Sequence, residues 1–137
     1  MSANLSSLAS LYRLSQLYAH MAHNLTGGKT FFQDHSFFGD LYGTYEDAYD
    51  GIIERMIGIG QTPDIVGITK KACEFLTDHS SDKTAEVFYS KLSATEIQIR
   101  GLIDNVLKGQ SQGTTNFLQG LADESEVRSF KISQRLK

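Results

Sequence analysis

The chain has 137 residues, 40% hydrophobic and 21% charged, with a formal net charge of −3. That length suits one domain over residues 1–137 and is enough to bury a core without covalent staples. No run of eighteen apolar residues exists, so no segment is expected to span a membrane, and the acidic balance does not mark a nucleic-acid protein. The start lacks the basic residues and continuous apolar stretch of a signal peptide, which makes the cytoplasm the expected compartment. The single cysteine, Cys73, cannot form an internal disulfide and is expected as a small core residue in a reducing compartment.

The apolar pattern is helical nearly throughout. Leu5, Leu8, Leu11, Leu14, Tyr18, Met21 and Leu25 recur every three or four residues, which predicts a first helix over about 3–25. Gly27-Gly28 ends it, since glycine tolerates the left-handed conformation that closes helices. Thr30 with Gln33 has the spacing of a capping box. It opens a second helix that runs to about 60 and carries Phe38, Leu41, Tyr42, Tyr45, Tyr49, Ile52, Ile53, Met56 and Ile59. At about 1.5 Å per residue that helix is about 45 Å long, a length that a bundle or a coiled coil accommodates.

In Thr62-Pro63-Asp64, Thr62 reads as an N-cap with proline at the first helical position. A short helix over about 63–77 follows, with Ile65, Ile68, Ala72, Phe75 and Leu76. After Asp78-His79-Ser80-Ser81 a third long helix covers about 82–108 with Phe88, Leu92, Ile99, Leu102 and Val106. Beyond the polar loop at 109–113 a last helix, about 114–135, aligns Leu118, Leu121, Ser125, Ile132 and Leu136. Four long helices and one short one predict an all-α four-helix bundle. The short helix lies between the second and third long ones, where it suits a crossover along the bundle better than a hairpin.

Four residues stand out as metal-ligand types: His23, His35, Asp50 and Glu54. Asp50 and Glu54 are four apart and share a helix face. His23 ends the first helix and His35 begins the second, so an antiparallel hairpin brings the imidazoles together. His35 and Asp50, however, are separated by about 22 Å of helix rise, while a metal–ligand bond is only about 2 Å. One straight helix cannot bring both to one ion. Two copies packed antiparallel through their second helices, with a twofold axis near Gly43, can do so twice. The plainer reading of the same residues is solvated carboxylates and helix-end histidines.

The segment from His23 to Gly60 resembles the signature of the Dps mini-ferritins. That signature has a His, a Gly five later, a Phe at eight and a second His at twelve. An Asp follows fifteen further on, then an acidic–Arg pair and a closing Gly. Here these are His23, Gly28, Phe31, His35, Asp50, Glu54-Arg55 and Gly60. The resemblance implies a ferritin-like bundle and a ferroxidase that oxidises Fe(II) with hydrogen peroxide or dioxygen. It also implies a site between subunits built from His23 and His35 of one copy and Asp50 and Glu54 of the other. The ferric product would be stored in a shell of twelve subunits assembled from twofold dimers, as a defence against oxidative stress. The alternative is a Dps-like shell with a weak metal site and a DNA-binding or structural role.

Several features depart from the family pattern. Asn24 stands where an indole is usual; Tyr18, Tyr42 and Tyr45 are the aromatics near enough to replace it, or they fill the core. Gly39 stands where an acid often assists a second iron, so the site is expected to favour one iron. The stretch 111–116, where related cages carry acidic pores, is polar but uncharged, so iron entry by electrostatic attraction is expected to be weaker or to use Asp104 or Asp123 instead. His20 is either a partner that orients a ligand or a packing residue, and His79 is expected at the surface. The N-terminus lacks a lysine-rich arm, so DNA binding is not favoured. No Glu or Asp is followed three residues later by His, which argues against a metal site inside one bundle.

Overall fold

The computed structural model describes residues 4–137; the expected start of the first helix at residue 3 lies outside them. Five helices make up the fold: α1 (Leu5–Leu25), α2 (Phe31–Gly58), α3 (Ile65–Thr77), α4 (Ala85–Val106) and α5 (Gln112–Arg135). Among the described residues there is no strand, and no helix is long and apolar enough to cross a membrane.

Side-chain pairs fix the helix directions. His20 meets Tyr42 and Gln16 bonds Glu46, so α1 and α2 are antiparallel. Arg100 reaches Ser125 while Arg128 reaches Glu96, so α4 and α5 are antiparallel as well. Phe38 meets Phe88 and Tyr45 bonds Glu96, which makes α2 and α4 parallel. The connection between them must therefore run the length of the bundle. It carries α3, which packs on α1 through buried Ile68 and Ala72.

Local chemistry explains most helix ends. Asn4, Asp64, Thr84 and Ser111 each accept a backbone N–H from the first turn of their helix. Gly28 has φ +92° and turns the chain from α1 into α2. Two expected caps differ. Asp64, not Thr62, caps α3, because its carboxylate reaches the Gly67 N–H at 3.0 Å. Thr30 precedes α2 without capping it; its hydroxyl donates to Asp34 at 2.6 Å instead.

Asp34 is fully buried and receives more than Thr30. Arg135 donates Nε at 3.0 Å and Nη2 at 3.1 Å, and the Tyr89 hydroxyl donates at 2.9 Å. Burial pushes this carboxyl up, but the Arg135, Thr30 and Tyr89 hydrogen bonds outweigh it and hold its pKa below the ordinary carboxylate value. The cluster ties the first turn of α2 to α4 and to the end of α5.

Three positions in and after α3 differ from expectation, two outward and one inward. Cys73 is exposed rather than a core residue, because the apolar stripe of this helix narrows to Ile68 and Ala72. Phe75 is 49% exposed for the same reason. His79, by contrast, is half-buried, with its ring edge-on to Tyr18 at 5.4 Å.

Candidate metal centre

The last turn of α1 and the first turns of α2 bring His23 and His35 together. Their rings stack at 3.7 Å between centroids, tilted by 20°. Each ring bonds the other residue's backbone. His23 Nδ1 lies 2.6 Å from the His35 carbonyl oxygen, and His35 Nδ1 lies 2.8 Å from that of His23. A carbonyl oxygen only accepts, so each Nδ1 must carry its proton. A neutral imidazole in that tautomer presents a lone pair at Nε2, the form a metal ion takes up. The His23 carbonyl is one of the last in α1, where no later turn of helix supplies a donor; His35 supplies one.

Neighbouring rings extend the arrangement. Phe31 stacks on His35 at 4.8 Å, and Tyr42 stands edge-on to His23 at 5.5 Å. His20 stacks on Tyr42 at 4.2 Å and lies 6.2 Å from His23. The His35 carbonyl orients His23, and His20 packs on Tyr42. Of the tyrosines considered from sequence, Tyr18 and Tyr45 are buried in the core, and Tyr42 alone touches the histidine pair.

Asp50 and Glu54 lie at the other end of α2, exposed and one turn apart. Neither forms an ion pair among the described residues. The adjacent cation, Arg55, is drawn aside over the Phe117 ring of α5, 5.0 Å from its centroid. Gly51 makes that possible: a β-carbon there would come within 3.2 Å of the Phe117 ring. Both carboxylates thus keep their lone pairs free. Among the described residues no three His, Cys, Asp or Glu side chains of one chain are grouped so as to hold a metal ion. The structure joins His23 to His35 and Asp50 to Glu54, and it keeps the two pairs apart, as the 15-residue spacing along α2 requires.

The bundle interior holds a carboxylate that periodicity alone did not single out. Glu96 is fully buried, and Arg128 donates to it through Nε at 2.6 Å and Nη2 at 3.2 Å. Ser125 Oγ donates at 2.7 Å and the Tyr45 hydroxyl also donates. Burial and the Glu96 charge push the Tyr45 phenol far up, which keeps it a donor. The sequence signal was present: Glu96 falls in phase with Leu92 and Ile99, and Arg128 with Ser125 and Ile132. A charge in each of two facing apolar stripes marks a buried pair.

This architecture defines a class, the ferritin-like bundles. A family model of the ferritin-like domain matches residues 5–136, and the chain belongs to that family. Within it, the fold is that of the Dps mini-ferritins. Dps from Staphylococcus aureus superposes with a TM-score of 0.83 at 17% identity, over 97% of this chain and 92% of that one. Dps from Listeria innocua soaked with cobalt superposes at 0.78 with 19% identity, over 98% and 93%. A Vibrio cholerae Dps, described as a member of a broad superfamily of ferritin-like diiron-carboxylate proteins, superposes at 0.65 with 19% identity, over 97% and 86%. A comparison with curated proteins finds none similar enough to match.

Proposed function

We propose that this chain, acting as one unit over residues 1–137, is the subunit of an iron-oxidising and iron-storing cage. Its site lies between two copies: His23 and His35 of one, Asp50 and Glu54 of the other. The observation that carries the reading is the division of donors. Two imidazoles with free Nε2 atoms sit at one end of α2, and two carboxylates without a cation partner sit about 22 Å away on the same helix. A second α2 laid antiparallel beside the first unites them at both ends. The family and the Dps-like fold favour iron as the substrate.

Neutral imidazoles hold Fe(II), and hard anionic carboxylates favour Fe(III), so the mixed set pulls the couple toward oxidation. Each iron gives one electron. Hydrogen peroxide accepts two, takes up two protons and leaves as two waters, so two ferrous ions are consumed per peroxide. Dioxygen is the slower oxidant in this scheme. The ferric product is stored inside a closed shell, for which twelve subunits is the family number, in the cytoplasm. A role in oxidative stress follows from removing iron and peroxide together.

DNA is not a favoured partner. Of the basic residues near the C-terminus, Arg128 is buried against Glu96 and Arg135 is bound to Asp34, which leaves Lys131 and Lys137. Strong duplex binding needs more cationic contacts than that. The test is ferrous iron with peroxide, followed by ferric absorbance on the sized particle. Native protein should oxidise rapidly, and His35→Ala and Asp50→Ala should assemble but oxidise slowly. Fast oxidation in both variants overturns the site. DNA retardation at physiological salt by a particle without oxidation would favour the DNA-binding shell.

A further inference from the structure

Gly39 lies one turn beyond His35 on the same face of α2, and the His23 ring fills the space a side chain there would take. A β-carbon on Gly39 would stand 3.2 Å from both Cε1 and Nδ1 of His23. Nδ1 is the atom that donates to the His35 carbonyl at 2.6 Å. The ring has little room to yield, because His35 stacks on it at 3.7 Å and Tyr42 stands edge-on at 5.5 Å. Any side chain at 39 therefore presses on the bond that fixes the His23 tautomer.

We propose that Gly39 is a positioning residue for His23: with no side chain at 39, the imidazole keeps its Nδ1 bond to the His35 carbonyl and leaves Nε2 as its free nitrogen. The proposal rests on the inter-subunit reading above and deepens it.

The test is calorimetric titration of the assembled protein with Zn²⁺, which binds without redox chemistry. Native protein is expected to take up one ion per chain, and His35→Ala to lose it. Gly39→Ala should keep its assembly and thermal midpoint, because alanine suits a helix better than glycine. Its Zn²⁺ affinity should nevertheless fall about tenfold, the usual scale for disturbing a residue behind a metal ligand. Gly101→Ala, where an added methyl meets nothing within 4 Å, should bind as native. Unchanged affinity in Gly39→Ala would overturn the positioning role. If native protein and His35→Ala titrate alike, the inter-subunit site itself has failed, and the proposal falls with it by a distinct signature.

Discussion

The two ends of α2 are built differently. At the start, Asp34 is locked by Arg135, Tyr89 and Thr30, and the next residue, His35, exchanges backbone bonds with His23. Toward the end, Asp50 and Glu54 face outward, and Arg55 leans away over Phe117. One end is finished within the chain. The other has its competing cation removed and its acceptors left open, as a surface that awaits donors from elsewhere would be. On the proposed function, preorganised donors at one end and unpaired carboxylates at the other are the two halves of a shared site.

The sharpest way to break that comparison is complementation. His35→Ala and Asp50→Ala should each be nearly inactive alone. A dimer of one with the other has one site with both defects and one site with none. Random reassembly of equal amounts should therefore restore about a quarter of native oxidation, from half the dimers carrying half their sites. Mixed particles as inactive as either parent would overturn the shared site.

The locked end can be loosened directly. Asp34→Ala leaves Arg135 partly buried without its carboxylate and should cost about 3–5 kcal/mol in denaturant unfolding. The acid limb tests the same group. Because the folded pKa of Asp34 is lowered, its contribution is fully present above the ordinary carboxylate range, about pH 4, and is lost as pH falls through the lower folded value. Native thermal stability should drop in that window more steeply than that of Asp34→Asn. Equal slopes would remove the assignment.

The smallest expected effect belongs to His20→Ala. It removes one stacked ring from Tyr42, worth about 0.5–1.5 kcal/mol, and it should leave iron oxidation fast. A large loss of rate with little loss of stability would make His20 part of the metal chemistry.

Much of this was legible in the sequence. Helical periodicity gave the five elements, because in a bundle each long helix must show the core one apolar stripe. The 15-residue interval between His35 and Asp50 separated the ligand pairs before any coordinates, since helix rise is nearly invariant. What escaped was set by tertiary partners. Thr30 has the spacing of a cap, yet buried Asp34 takes its hydroxyl. Cys73 has the chemistry of a core residue, yet a helix that packs chiefly on α1 needs only a narrow stripe, which turns residue 73 outward. The carbonyl bonds that select the histidine tautomers depend on how two helix ends abut, and no local pattern encodes that.

Glu96 and Arg128 carry one more consequence. With a guanidinium seated on the only buried carboxylate found at the middle of the described bundle, the interior of a solitary folded subunit keeps no carboxylate free for a ferrous ion. On the proposed function, a newly made chain would then be inert toward iron, and oxidation would begin only as copies meet. The chemistry would switch on together with the compartment that contains its product.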